Sequence, residues 1–324
     1  MDKKPAGRQG DRLSGHEKRP DALSPCRPVS HPSSLALRSK ALSALRAWFE
    51  AEGFIEVETP VRIPVPALET HIDAPASGNA FLRTSPELHM KRLLAAGMEK
   101  IYQIGPCFRE GERGARHNPE FTMLEWYRVH ATEQELLRDT QSLLRHVAQT
   151  TLGTTLLERN GKTIDVASPW TCHDVASLYR CHAGWDPLEE WDADRFDLDM
   201  ANVIEPALAD ETAPAVIQNF PAPTAVLAKL NPCGKTSARW ELYIAGLELA
   251  NACAELADPA QQRARFGEVR RERARLGRVP YPLDEPFLEC LENMPPCAGI
   301  ALGVDRLVML LANTRSIGDV RAFC

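Results

Sequence analysis

The 324-residue chain has no run of 18 or more apolar residues, so no membrane-spanning helix is expected. No apolar stretch follows Met1-Asp2-Lys3-Lys4-Pro5, which argues against a signal peptide and makes the cytoplasm the default compartment. None of the nine cysteines forms a Cys-x-x-Cys pair, and an odd number of scattered thiols suits a reducing compartment better than a disulfide framework. An excess of positive charge is also missing. Against 38 Lys and Arg stand 44 Asp and Glu, a formal net charge of -6, so the overall balance supplies none of the broad field that nonspecific nucleic-acid binding uses. No internal repeat is visible.

With 44% apolar and 25% charged residues the chain reads as a globular protein of enzyme size, large enough to bury a substantial core. Residues 1–34 are rich in Lys, Arg, Pro, Ser and Gly and read as an N-terminal tail that buries too little to order itself. Ser33 or Ser34 is positioned to cap a helix whose apolar face is Leu37, Ala41, Leu45, Trp48 and Phe49, with Gly53 ending it. A strand is expected over 54–58, ended by Thr59-Pro60. Further strands are expected at 81–84, 101–108, 121–130, 215–220 and 239–250, with a helix over 87–96 and a helical insertion at about 165–210. The fold class is α+β, with no strong boundary inside residues 35–324.

Three constellations carry candidate chemistry. The first is the charged loop Arg109-Glu110-Gly111-Glu112 through Arg116-His117-Asn118-Pro119, leading into a period-two segment. There Phe121, Met123, Glu125 and Tyr127 share one face, and Thr122, Leu124, Trp126 and Arg128 the other. The ordinary alternative is a solvated hairpin tip beside a half-buried strand. In the second, Gly299, Ala301 and Gly303 alternate on one side of a strand, so that something flat can lie against it; a helix beginning near Asp305 then puts Arg306 in its first turn, where the dipole calls for a compensating anion. Tight strand packing with a surface arginine is the alternative. In the third, a turn at Ala245-Gly246 folds Glu241 and Glu248 toward one another across a hairpin, a pair of hard oxygen ligands suited to Mg2+ with phosphates. Cys172-His173 and Cys181-His182 fit no common zinc spacing, and the arginine run 263–278 reads as a solvated helix face, with a docking surface for an acidic partner as the sharper alternative.

Phe108-Arg109 and Arg116-His117-Asn118-Pro119-Glu120-Phe121-Thr122-Met123-Leu124-Glu125 together resemble motif 2 of class II aminoacyl-tRNA synthetases in its lysyl form. Gly299 to Arg306 is similar to motif 3, and Pro60 to motif 1, which in that family lies at a dimer interface. Leu227-Ala228-Lys229 and Met294-Pro295-Pro296 extend the likeness, in consistent order, over residues 35–324. Within this group the chain resembles the elongation factor P β-lysine ligases, truncated paralogues of lysyl-tRNA synthetase. Too few residues precede the first helix for an anticodon-binding barrel, and Ser85-Pro86-Glu87 and Ala301 follow the paralogue pattern.

The resemblance implies an antiparallel sheet flanked by helices, a homodimer, and an AMP-forming ligase that uses ATP and Mg2+. Its substrate would be (R)-β-lysine or lysine, and its acceptor elongation factor P, without anticodon recognition. It implies catalytic roles for Arg109, Arg306 and Glu248, and ATP contacts from Arg109, Glu110, Gly111, Glu112, Asn118, Phe121, Glu248, Leu249, Gly303 and Arg306. The amino acid would meet Ser85, Pro86, Glu87, Glu125, Tyr127, Asn251, Glu255 and Ala301, and Mg2+ would bind Glu241 and Glu248. Two departures stand out. Gly111 occupies the position of the usual motif 2 glutamate, with Glu112 adjacent, and Cys253 replaces an aromatic wall in Asn251-Ala252-Cys253-Ala254-Glu255. Two rival functions remain: charging tRNA or a carrier protein, and a non-catalytic regulatory paralogue that binds an amino acid.

Overall fold

The computed structural model describes residues 31–323, so most of the expected N-terminal tail lies outside the described residues. The first helix, α1 (Pro32–Ala51), begins ahead of Ser33 and Ser34. The His31 ring nitrogen accepts from the Ser33 amide, and Pro32 sits at the first helical position, where no N–H is needed. Its buried stripe is Ala41, Ala44, Leu45, Trp48 and Phe49, and Gly53, at φ +76°, turns the chain out of it.

Four short strands follow, β1 (Ile55–Glu56), β2 (Arg62–Ile63), β3 (Ala76–Ser77) and β4 (Ala80–Leu82), then α2 (Glu87–Ala95). The long hairpin β5 (Lys100–Phe108) and β6 (Glu120–Val129) leads to α3 (Glu133–Leu152), which opens with a Thr132–Glu135 capping box. A small hairpin, β7 (Leu156–Arg159) and β8 (Lys162–Asp165), precedes β9 (Thr171–Asp174) and three short helices, α4 (Val175–Leu178), α5 (Ala193–Asp199) and α6 (Glu205–Leu208). The remainder is β10 (Ala215–Gln218), β11 (Arg239–Ile244), β12 (Leu247–Ala254), α7 (Pro259–Arg275), α8 (Glu285–Cys290), β13 (Cys297–Gly303) and α9 (Val304–Leu311). No helix among the described residues is long and apolar enough to cross a membrane.

The main sheet has eight strands in the order β1-β5-β6-β13-β12-β11-β10-β9. It is mixed rather than wholly antiparallel: β1 on β5 and β9 on β10 run parallel at the two edges, and every pairing between them is antiparallel. The expected helical insertion therefore starts with a strand. Thr171-Cys172-His173-Asp174 lacks apolar alternation, and its pairing partner lies some forty residues on, so local pattern carried no signal for it.

Helices α1, α3 and α9 cover one face of the sheet, where Leu124, Trp126, Ala298, Ile300 and Leu302 join their apolar stripes in the largest core. On the other face α2, α7 and α8 pack over one end around Phe266, Phe287 and Ile101, and the insertion packs over the opposite end around Tyr179, Phe196 and Ile217. Between these two covers the middle of the face stays open. The functional side chains stand there.

Candidate active site

Strand alternation sorts the central residues as the sequence pattern requires. Met123, Glu125 and Tyr127 face the open side, while Leu124 and Trp126 are fully buried in the helix-covered core. The register then builds rows across the sheet. Gln103, Glu125, Ala301, Asn251 and Glu241 lie side by side on five neighbouring strands, and the next row holds Ile101, Tyr127, Gly299, Cys253 and Arg239.

Ala245 and Gly246 form the expected two-residue hairpin loop, both at positive φ (49° and 70°). Glycine is needed at the second position, since a Cβ there would lie 2.7 Å from the Cβ of Ala209, the residue that caps the end of α6. Beyond the turn the register slips, so that Leu242 faces Ala250 while Tyr243 faces Glu248. This bulge inserts Leu249 as an extra residue and lets both Leu249 and Ala250 face the core. Glu248 consequently shares the open face with Asn251 and Cys253, which simple alternation would have denied it. Leu249, expected among the ATP contacts, is 2% exposed and lines the smaller cavity.

Two joined cavities occupy the open face. The smaller, about 320 Å3, is walled by Arg109, Glu112, His117, Asn118, Phe121, Glu241, Glu248, Gly303 and Arg306. The larger, about 730 Å3, is walled by Ser85, Glu87, Glu125, Tyr127, Asn251, Cys253, Glu255 and Ala301. Arg109, Arg239, Asn251, Ala301, Met123, Ile72 and Glu69 line both and mark the seam between them.

In the smaller cavity α9 begins at Val304, and Asp305 ties its first turn to β6 by accepting from the Thr122 amide at 2.8 Å and pairing with Arg38 and Arg321. Arg306 is thereby aimed into the cavity. It donates to the Glu248 carboxylate at 3.0 Å, to the Glu248 carbonyl at 2.9 Å, and to the His117 ring at 2.8 Å. Burial, and then the Arg306 charge, hold His117 below its usual range, so its neutral ring accepts that bond. Arg109 lies over the Phe121 ring at 5.1 Å and 3.7 Å from Glu112, and its buried Nε has no partner. Asn118 donates to the Glu120 carbonyl.

Among the described residues no group of three or more His, Cys, Asp or Glu side chains is arranged to hold a metal by itself. Glu241 accepts from Tyr243 at 2.9 Å and pairs with Arg239. Burial raises its pKa, Arg239 opposes the rise, and the nearby Glu248 adds to it. A cation between the two carboxylates would relieve that repulsion, so the donor set fits a hard metal whose remaining ligands come from elsewhere.

The larger cavity is acidic. Tyr127 donates to Glu125 at 2.6 Å, and the second Glu125 oxygen is buried without a partner. Burial, reinforced by Glu87, pushes the Glu125 carboxyl up to about 8, and burial likewise lifts Glu255 to about 7. Lys91, 1% exposed, lies 2.6 Å from both Glu87 and Glu255. Burial opposes its charge, but these carboxylates outweigh it and hold the ammonium well above its ordinary range. Ser85 accepts from the Glu87 amide and so fixes the start of α2.

Several expectations need correction. Glu110 and Gly111 line neither cavity, because the Glu110 amide is tied to the Asp73 carbonyl and the turn at Gly111 points both outward; Glu112 faces the cavity instead. Pro86 is buried at the start of α2, away from both cavities. The flat object over Gly299 is the protein's own Tyr127 ring: a Cβ on Gly299 would sit 2.2 Å from that ring and 2.4 Å from Glu255. The arginine run is in part the expected solvated face, with Arg263, Arg271 and Arg275 exposed, while Arg265 holds the Ala225 and Ala228 carbonyls and Arg273 is fully buried.

Sequence reasoning missed Lys91, Arg239, His117 and Glu69. The i,i+4 spacing from Glu87 signals Lys91, and alternation with Glu241 signals Arg239. His117 was inside the motif but had no role. Glu69 sits on an irregular segment with no periodicity.

Residues 25–324 match the family described as tRNA synthetases class II (D, K and N). The chain is 38% identical over 319 residues to an elongation factor P–(R)-β-lysine ligase of Mannheimia succiniciproducens, covering 94% of this chain and 97% of that protein. It is 37% identical over 314 residues to the protein of the same name from Hamiltonella defensa, covering 91% and 96%. A lysine–tRNA ligase of Staphylococcus aureus is 36% identical over 312 residues, covering 88% of this chain and 63% of that longer protein.

Proposed function

The chain belongs to the class II tRNA synthetases (D, K and N), and we propose that it activates (R)-β-lysine with ATP and transfers the acyl group to a lysine ε-amine of elongation factor P. The observation that carries this reading is the pair of cavities joined at Arg109. One is lined by cationic side chains that suit a triphosphate, the other by buried carboxylates that suit a substrate with two ammonium groups. Likeness to two elongation factor P–(R)-β-lysine ligases over 97% and 96% of their length supports elongation factor P as the acceptor. Residues 35–324 act as the catalytic domain, without anticodon recognition.

Arg109 holds the α-phosphate and the substrate carboxylate, and its unpartnered Nε supports that role. Arg306 releases Glu248 to take the γ-phosphate. Phe121 stacks on adenine with its free face, Arg109 covering the other; Asn118, Glu112 and the backbone at Leu249 and Gly303 complete the nucleotide contacts. Ser85, Glu87, Glu125, Tyr127, Asn251 and Glu255 receive the amino acid, and Ala301 narrows the seam where its carboxylate sits. That carboxylate attacks the α-phosphorus and pyrophosphate leaves in line. No protein nucleophile is needed, because positioning and charge stabilisation carry the step. Glu241 and Glu248 are the residues that would hold Mg2+, which when bound neutralises phosphate charge.

The enzyme works in the cytoplasm as a homodimer. Edge strand β1, with Ile55 57% exposed a few residues before Pro60, supports a partner surface there. The test is mass spectrometry of elongation factor P after incubation with the enzyme, ATP and each lysine isomer. A single lysyl addition, faster with (R)-β-lysine, is expected; label transferred to tRNA while elongation factor P stays unmodified would refute the reading.

A further inference from the structure

The transfer half of this reaction needs a base, because the acceptor amine arrives as an ammonium and an ammonium has no lone pair to attack with. Among the described residues that line both cavities, the ionisable side chains are Arg109, Arg239 and Glu69, and only the last can accept a proton at neutral pH. Glu69 lies on the irregular segment between β2 and β3, and its backbone is clamped. The fully buried Arg273 of α7 donates to the Glu69 carbonyl at 2.6 Å and the Ile72 carbonyl at 2.8 Å, and pairs with Asp73 at 2.6 Å. Tyr281, stacked under that guanidinium, accepts from the Ala74 amide at 2.9 Å, and the Asp73 carbonyl accepts from the Glu110 amide at 2.8 Å.

The Glu69 carboxylate itself forms no hydrogen bond or ion pair with any described residue. The charged groups facing it are Arg239 from β11, Glu87 from α2, and Arg109 and Glu112 from the motif loop. Burial lifts its carboxyl above the ordinary range, with Arg109 opposing. The other carboxylates are less suited. Glu87 and Glu255 are taken by Lys91, Glu125 accepts from Tyr127 on one oxygen, and all three line only the larger cavity; His117, in the smaller one, is taken by Arg306.

We propose that Glu69 is the general base that receives the proton of the acceptor lysine in the transfer step, a role that rests on the reading of this chain as an adenylate-forming protein ligase. The ε-ammonium gives one proton to the Glu69 carboxylate and becomes a neutral amine. Its lone pair forms the C–N bond to the acyl carbon while the C–O bond to the phosphate breaks, and AMP leaves with that electron pair. The amide nitrogen sheds its extra proton to water, and Glu69 returns its own to solvent before the next cycle. A clamped backbone under a free carboxylate is the preorganisation this task requires.

The test compares wild type and Glu69→Gln, which keeps the shape and the backbone clamp, in two assays at pH 7. Pyrophosphate exchange with ATP and (R)-β-lysine reads adenylate formation, and single-turnover discharge of the adenylate to elongation factor P reads transfer. Transfer is expected to fall on the order of 10²- to 10⁴-fold, the usual worth of a general base, while exchange changes by less than about threefold. Discharge to hydroxylamine, a nucleophile already neutral at this pH, is expected to match wild type, and the lost transfer rate returns as pH rises toward the ionisation of the ε-amine. An equal loss in exchange with a raised KM for the amino acid would make Glu69 a substrate ligand instead and overturn the proposal, as would unimpaired transfer. If wild type itself modifies no elongation factor P, the underlying reading fails first, and the two failures are told apart within one experiment.

Discussion

The two cavities share strands β6, β11, β12 and β13, yet they keep charge in opposite ways. In the smaller cavity each cationic arm already holds a counter-charge: Arg306 is on Glu248, Arg109 beside Glu112, and Arg239 on Glu241. A polyanion entering there exchanges one ion-pair partner for another. In the larger cavity burial holds Glu125 in a protonated state, up near 8, and an internal ammonium, Lys91, sits between Glu87 and Glu255. A cation entering there displaces protons. The nucleotide side is therefore expected to respond to salt and to arginine loss, and the amino-acid side to pH.

The sharpest way to break this contrast is Arg109→Ala, which removes the charge at the seam. Pyrophosphate exchange is expected to drop about 10²- to 10³-fold, the usual worth of one preorganised charge-stabilising donor. Near-normal exchange would remove Arg109 from the phosphate. Glu125→Gln comes next: it keeps the shape and loses the charge, so KM for (R)-β-lysine should rise about 10- to 100-fold, matching ~1.5 to 3 kcal/mol for one charge-assisted bond, with KM for ATP unchanged. A parallel rise in both constants would show the cavities are not separable.

The pH dependence follows from sign. A carboxyl whose folded pKa is raised to about 8 must lose its proton before it pairs with an ammonium. KM for (R)-β-lysine is therefore expected to fall as pH rises, by at most about tenfold per unit, and to level off near 8, while KM for ATP stays flat. Glu125→Gln should remove its share of the slope and leave the part set by Glu255, lifted to about 7. The smallest expected effect is that of Ala301→Gly. Ala301 pairs with Glu125 on one side and Asn251 on the other, so its single methyl sets the width of the seam. Removing it should raise activation of α-lysine relative to (R)-β-lysine about tenfold, the scale of one methyl group in a pocket; no change in that ratio would exclude Ala301 as a selectivity residue.

Much of this arrangement was legible before any coordinates. Period-two alternation sorted Met123, Glu125 and Tyr127 from Leu124 and Trp126, helical spacing found α1, and two adjacent turn residues located the Glu241–Glu248 hairpin. These are local signals, carried by neighbours in the chain. What escaped was whatever depended on partners far along it. The bulge that brings Glu248 onto the face of Asn251 arises from strand pairing, the Tyr127 ring over Gly299 from a register between β6 and β13, and the parallel edge strand β9 from a partner beyond three helices.

The sequence alone determined the class of chemistry, because motif residues and alternation state which groups share a strand face. Only the tertiary structure decided the state of those groups. Whether Glu125 carries a proton, whether Lys91 or a substrate satisfies Glu255, and whether Glu69 reaches the seam depend on burial and on charges brought in from separate elements. Electrostatic energy in a dry pocket is set by distance and desolvation, and neither is written in the order of residues along a chain.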